Sequence, residues 1–304
     1  MSQAKSDDGL VAKWANYSMR NPKLVYRYLF YISLAAFLLI SLFPIYWLFV
    51  IALTSPDNMS NIWFLPRGFN IGVFIDIFQT TPFHWYVLNS LIIASVTTAL
   101  VLLFASLAGY VFGRMEFRFR RPLMLAVLAI SYFPAAAYLL PLFRLLTGNI
   151  SVFGISSPDL FNTHIGIVIP LLGITMPLAI FILTTFYGQI PDGLEDAARI
   201  EGTTRLGALF RVIMPLSAPG VATAGVLTFI TVYNEFFFSF LMNDGEVSNG
   251  APLVWGMLRF QERFQVNYGE MAAASLVATI PIVILVIFAQ ERIVSGLTSG
   301  ALKE

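Results

Sequence analysis

The sequence predicts an all-α membrane protein with six transmembrane helices, and three observations carry that prediction. First, 58% of the 304 residues are hydrophobic and only 12% are charged, whereas a soluble domain carries about 25% charged residues. With a mean hydropathy of +0.77, too little polar surface remains to cover a water-soluble particle. Second, six apolar stretches are each long enough to cross the hydrocarbon core, which takes about 20 residues in a helix. Third, these stretches are nearly continuous in their hydrophobicity, which excludes the alternating pattern of a membrane barrel strand.

In chain order the expected spans are about 29–53, 86–112, 123–146, 165–187, 221–242 and 272–289, preceded by a polar segment 1–28 and followed by a tail 296–304. The first 27 residues are mostly polar and lack the layout of a secretory signal, so the sequence predicts a retained N-terminus. Pro44, Pro134, Pro141, Pro170 and Pro177 fall inside the stretches, where a missing amide donor favours kinks that bundle neighbours tolerate.

Orientation follows from the basic residues. With the N-terminus inside, that side holds Lys5, Lys13, Arg20, Lys23 and Arg27, then Arg114, Arg118, Arg120 and Arg121. It also holds Arg199, Arg205 and Arg211, and finally Arg292 and Lys303. Only Arg67, Arg144, Arg259 and Arg263 lie opposite, a split of 14 to 4 that places both termini in the cytoplasm. Trp63, Trp85 and Trp255 then fall in outer loops, where an aromatic belt is the plain reading and a docking surface the sharper one.

Composition also excludes chemistry. A net charge of +1 gives no electrostatic footprint for nucleic acid. The chain has no cysteine, and its two histidines, His84 and His164, are too far apart in sequence for a His-x-x-x-His metal pair, so no metal site is expected. No Gly-Lys pair occurs anywhere, so there is no phosphate-cradling P-loop. No catalytic residue is assigned.

One connection is too long to be a plain linker. Residues 188–216 separate the fourth and fifth stretches, where helix–helix connections usually take about 2–8 residues. Asp192 is a candidate N-cap with Glu195 in the capping-box position. Leu194, Ala197, Ala198 and Glu201 recur at helical spacing, and Gly202 supplies a left-handed stop. Thr203 or Thr204 then caps a second helix with an apolar stripe of Leu206, Leu209, Phe210 and Ile213 before Pro215. The small face at Ala197 and Ala198 suits close approach of a partner, with Glu195, Asp196, Glu201 and Arg199 as its charged rim. An amphipathic helix lying on the membrane is the alternative, and three acids in seven residues suit an anionic leaflet poorly.

Within the spans, Glu235 with Asn234 is the sharpest polar group. An intramembrane acid faces the bundle interior or water, as part of a pathway or of a helix–helix hydrogen bond. Gly109-x-x-x-Gly113 reads as a close helix crossing.

The run Ile190-Pro191, Leu194-Glu195-Asp196-Ala197-Ala198, Ile200-Glu201-Gly202, Phe210, Ile213, Pro215-Leu216 and Pro219 resembles the EAA loop of ABC importer permeases, in the version of the maltose-permease-like, binding-protein-dependent carbohydrate importers. Asp196 stands where that family usually has Glu, and Glu201 where it usually has Asp. The resemblance extends to Leu42–Trp47, Asn89-Ser90, Ser106–Tyr110 with Arg114 and Phe117, Phe161-Asn162-Thr163, Tyr233-Asn234-Glu235-Phe236 and the tail Gly296–Lys303, nearly the whole chain from about residue 28.

The resemblance implies a type I importer permease fold with a cytoplasmic coupling helix, in the cell membrane of a prokaryote. It implies one half of a sugar-translocating pore, partnered by a second permease subunit, two ATPase subunits that bind ATP and Mg, and an extracytoplasmic solute-binding protein. The chain itself would bind no cofactor and touch membrane lipid and a sugar substrate. Leu194, Glu195, Asp196, Ala197, Ala198, Ile200, Glu201 and Gly202 would form the ATPase-coupling helix. Tyr233, Asn234, Glu235 and Tyr138 are the candidates for the substrate pathway, although the sister subunit of such a pair can hold most of the sugar site. The competing class is an ion-coupled secondary transporter or channel using Glu235.

Overall fold

The computed structural model describes residues 22–261 and 266–301. The expected N-terminal segment up to residue 21 and the end of the tail, 302–304, lie outside the described residues. The chain divides into two compact units, residues 1–70 and 71–304.

In the first unit, α1 (Pro22–Leu53) passes through Pro44 without ending. Its side chains, Phe37, Leu39 and Ile40 among them, are largely exposed, as expected where the surrounding solvent is acyl chain. A 3₁₀ turn, Pro56–Asn61, follows, and the chain folds back. The Ser55 amide donates to Arg67 O at 2.9 Å and the Asn70 amide to Leu53 O at 2.8 Å. Gly68 makes that return with φ +77°, and a Cβ there would lie 2.2 Å from Ser55 Oγ. The turn therefore needs glycine both for its left-handed backbone and for space.

The second unit contains α2 (Val73–Thr80), α3 (Phe83–Arg114), α4 (Arg120–Ser131) and α5 (Ala135–Leu146). A two-stranded hairpin follows, β1 (Ser151–Val152) and β2 (Ile155–Ser156), antiparallel with Ser151 opposite Ser156. Then come α6 (His164–Tyr187), α7 (Asp192–Ile200), α8 (Arg205–Leu216), α9 (Ala218–Tyr233), α10 (Phe237–Leu241), α11 (Leu253–Leu258) and α12 (Tyr268–Ala301).

The scaffold is the α3–α6 pair. At Gly109 an added Cβ would lie 2.9 Å from Leu183 Cβ, and at Gly113 3.0 Å from the Thr184 carbonyl oxygen. The Gly-x-x-x-Gly motif is thus a backbone-to-backbone crossing, as expected where apolar lipid supplies no hydrophobic drive and close contact must supply the attraction. One core gathers Ile93, Ile167, Leu171, Tyr233, Phe238 and Met242. A second, nearer Arg114, gathers Val101, Tyr110, Leu183, Tyr187, Leu209 and Ile213.

Among the described residues, four helices are long and apolar enough to cross a membrane, or six if two bent pairs each count as one span. The pairs are α4 with α5, bent by 90°, and α8 with α9, bent by 85°. The first bend is at Pro134, whose ring pushes the preceding residue out of the helical region. Pro141, Pro170 and Pro177 lie within continuous helices. At the second bend, Pro215 and Pro219 flank Ser217, removing successive amide donors from the ladder.

The stretch 221–242 is not one helix. α9 ends at Tyr233, the chain breaks over Asn234–Phe236, and α10 starts at Phe237. With 16 residues, α9 falls short of a full span and reaches that length only together with α8. Hydropathy misses the break because the apolar character continues through Phe236, Phe237 and Phe238.

At the end of the bundle bearing His164, one loop is held from several sides. The Asp244 carboxylate accepts from Asn162 Nδ2 at 2.7 Å, Asn249 Nδ2 at 2.9 Å and the Glu246 amide at 3.0 Å. These donors, the Glu246 amide first, hold its carboxyl below the usual carboxylate range. Gly245 O accepts from Tyr86 Oη at 3.1 Å and from Arg259 Nη2 at 2.9 Å. Trp255 stacks on Phe240 at 4.7 Å and lies against Gly245. It is a packing residue of this loop, unlike Trp63 and Trp85, which are exposed.

Candidate functional site: a clamped helix and a capped break

α7 and α8 form the knuckle that the long connection foreshadows, although its N-terminal chemistry differs from a capping box. Asp192 is already the first helical residue, and Pro191 precedes it as a cap with no side-chain hydrogen bond. Both first-turn acids instead turn to Arg114, at the C-terminal end of α3. Arg114 Nη1 lies 2.9 Å from Asp192 Oδ1, Arg114 Nε donates to Glu195 Oε2 at 3.0 Å, and Arg114 Nη1 also donates to Ile190 O at 2.5 Å. Tyr110, one turn earlier on α3, donates its hydroxyl to Glu195 Oε1.

The electrostatics of the two helix ends favour this arrangement. A cation sits at the negative end of α3 and two anions at the positive start of α7, each complementing its own macrodipole. The Arg114 side chain is 4% exposed and that of Glu195 12%, whereas Asp192 is 89% exposed. The Arg114–Glu195 pair is therefore the shielded member, and Asp192 contributes little.

The far end of α7 closes on a Schellman motif. The Gly202 amide donates to Arg199 O at 3.0 Å and the Thr203 amide to Ala198 O at 3.1 Å, with Gly202 at φ +90°. Thr204, not Thr203, caps α8 by accepting from the Gly207 amide at 3.1 Å. The apolar stripe of α8 then divides. Leu209 and Ile213 are fully buried against α3 and α6, while Leu206 and Phe210 face out.

The predicted face of α7 divides in the same way. Glu195 and Ala198 turn inward, whereas Leu194, Asp196, Ala197, Ile200 and Glu201 are exposed, Ile200 at 87%. Glu195 therefore belongs to the internal clamp and not to a charged rim. The outward surface of the knuckle is Leu194, Ala197, Ile200, Leu206 and Phe210, edged by Asp196 and Glu201. The role of Arg114 escapes sequence reading, which sees one more inside-positive residue. Its only local sign is Tyr110 four residues earlier, which shares its helix face.

The pathway candidates come together only in part. Tyr233, Asn234 and Glu235 line one cavity of about 310 Å³ with Phe236, Leu253 and Met257. Tyr138 lies apart from it, stacked between Phe133 at 6.2 Å and Phe238 at 6.4 Å. Both Glu235 carboxylate oxygens are engaged, accepting from the Phe238 amide at 2.9 Å and the Ser239 amide at 3.0 Å. Glu235 thus satisfies the orphan amides that open α10, which explains an acid within an apolar run. Asn234 Nδ2 donates back to Ile230 O at 3.0 Å, and Tyr233 Oη donates to Ala278 O on α12 at 2.9 Å.

This arrangement predicts how Glu235 responds to substitution. E235A leaves two buried amides without an acceptor and is expected to cost about 1–2 kcal/mol. E235Q, which keeps one acceptor oxygen, is expected to lose less than half of that. Thermal unfolding of the two purified variants against wild type checks the order.

Residues 105–299 match the family described as binding-protein-dependent transport system inner membrane component. The chain belongs to this family. The permease is 32% identical over 275 residues to the sulfoquinovosyl glycerol transport system permease protein SmoH of Agrobacterium fabrum, covering 90% of this chain and 93% of that one. It is 32% identical to the trehalose transport system permease protein SugB of Mycobacterium tuberculosis, over 86% of this chain and 93% of the relative. Similarity to the trehalose/maltose transport system permease protein MalG of Thermococcus litoralis is again 32%, over 91% and 97%. Among solved structures, a chain of a bacterial ABC transporter that imports the acidic polysaccharide alginate superposes with a TM-score of 0.72, at 19% identity, covering 89% of the permease and 97% of that chain. The fold is therefore that of a type I importer permease. Family membership also replaces the ion-coupled alternative, whose candidate acid, Glu235, accepts from the first amides of α10.

Proposed function

We propose that this permease forms half of the translocation pore of an ATP-driven sugar importer, and that α7 is the element through which ATPase subunits move it. The carrying observation is the Arg114 clamp. α7 leaves an apolar surface exposed outward among the described residues, yet its first turn is bolted to α3, which crosses α6 backbone to backbone. A push on α7 therefore moves the α3–α6 scaffold with it. The coupling is thermodynamic: ATP-bound partners must contact the two pore states with different free energies.

The rest of the assembly follows from this reading. The distribution of basic residues supports cytoplasmic termini and a cytoplasmic α7 in a prokaryotic cell membrane. A second permease completes the pore, two ATPase subunits carry ATP and Mg, and a solute-binding protein delivers substrate to the opposite face. Relatives named for trehalose, maltose and sulfoquinovosyl glycerol support a glycoside as cargo. The cavity at Tyr233, Asn234 and Glu235 is this subunit's contribution to the path, offering the Asn234 amide beside apolar walls. The test is uptake into vesicles holding the complete complex. Glycoside accumulation that requires internal ATP and the binding protein supports the reading, and accumulation driven by an ion gradient without ATP refutes it.

A further inference from the structure

Arg118, in the turn between α3 and α4, and Arg120 and Arg121, the first residues of α4, border two adjoining hollows on the surface. One, of about 500 Å³, is walled by Phe112, Met124 and Leu125, with Arg120 and Arg121 at its edge and Thr184 of α6 in its wall. The other, of about 390 Å³, is bounded by the same two arginines with Arg118 and Glu116. From these we infer that the α3–α4 turn is a binding site for an anionic phospholipid, its phosphate held by Arg120 and Arg121 and an acyl chain laid along Phe112, Met124 and Leu125.

Three observations carry the assignment. Among the described residues, neither Arg120 nor Arg121 forms an ion pair with a carboxylate, although Arg114 nearby engages two. The Arg120 guanidinium donates to Gly113 O only at a long 3.5 Å. Three guanidiniums against the single Glu116 carboxylate leave the site positive.

The apolar wall selects a lipid over a free anion. A hydrated inorganic phosphate gains nothing from Phe112, Met124 and Leu125, whereas an acyl chain beside membrane-spanning helices does. Basic residues just outside a span attract acidic headgroups, and pockets between helices fix them. The site is separate from the α7 surface, so it can succeed or fail independently of the coupling proposal.

The test is native mass spectrometry of the complete importer in detergent, titrated with phosphatidylglycerol or phosphatidylcholine. Wild type is expected to retain phosphatidylglycerol in preference to phosphatidylcholine, and R120Q/R121Q to lose that retention by about tenfold or more. R120K/R121K, which keeps both charges, is expected to retain most of it. L125W fills the acyl slot at a residue that is 67% exposed, so folding is spared while lipid retention falls. Equal retention of the two lipids by wild type overturns the inference, as does undiminished phosphatidylglycerol on R120Q/R121Q. Displacement by inorganic phosphate with L125W unaffected would show a simple anion site. Absence of lipid from the assembled wild type would show that a protein subunit covers the turn.

Discussion

Replacing Arg114 with glutamine is expected to uncouple the permease. The substitution leaves the Glu195 carboxylate, 12% exposed, with only the Tyr110 hydroxyl against it and removes the tie to Ile190 O. Breaking one side of a shielded ion pair costs about 3 kcal/mol, which lowers the equilibrium constant for seating α7 by about 100-fold. ATP-driven uptake should fall by at least an order of magnitude, while ATP hydrolysis by the partner subunits persists. The double variant R114Q/E195Q is expected to recover yield and thermal stability, because the one acid left without Arg114, Asp192, is 89% exposed, but not uptake. Uptake and ATP hydrolysis measured side by side on the same vesicles separate these outcomes. If R114Q transports normally, the clamp is not the transmission point.

Gly109 should be as sensitive for a different reason. An added Cβ meets Leu183 Cβ at 2.9 Å and the Thr184 backbone nitrogen at 3.2 Å, and neither can swing aside as the end of a flexible side chain would. G109A is expected to cost about 1–3 kcal/mol by overpacking, and G109V, with two further methyl groups, to prevent recovery of folded permease. Thermal unfolding in detergent and the monodisperse yield on size exclusion give the readings. A G109V protein as stable as wild type would mean that the α3–α6 crossing is looser than the structure has it. G193A serves as the control, since nothing lies within 4 Å of a Cβ placed there.

These two residues also show what the sequence makes legible. Gly109 and Gly113 can be read because a small-residue repeat at one-turn spacing has one physical use between apolar helices. The long apolar runs are legible for a similar reason, since lipid offers the backbone no hydrogen-bond partner and forces helices. The knuckle at 188–216 is legible through its length, Gly202 and threonine cap. Prolines are not so informative. Pro134 ends a helix while Pro141, Pro170 and Pro177 are carried inside helices.

The candidate site divides along the same line. Helical spacing identifies α7 but cannot tell which of its acids turns inward, because the partner of Glu195 lies on α3, 81 residues away. Hydropathy runs past Asn234 and Glu235 because phenylalanines follow them. The break appears only once the Glu235 carboxylate is seen holding the first amides of α10. Tyr138 and Tyr233 have the ring chemistry to stack on a sugar, yet the first is stacked between two phenylalanines and the second donates its hydroxyl across to α12. Aromatic type says what a residue can bind and nothing of what already occupies it.

On the proposed function, ATPase movement enters the permease through the outward face of α7. Ile200 is the best probe of it, being 87% exposed on that face and outside the Arg114 clamp. The absence of native cysteine in this chain makes a single I200C variant convenient. With the complete importer, I200C should form a specific cross-link to an ATPase subunit whose yield changes between the nucleotide-free and ATP-bound states, while a cysteine at exposed Leu39 of α1 should form none. An importer that takes up sugar with ATP but gives no ATPase adduct at I200C in either state would show that α7 is not the ATPase contact.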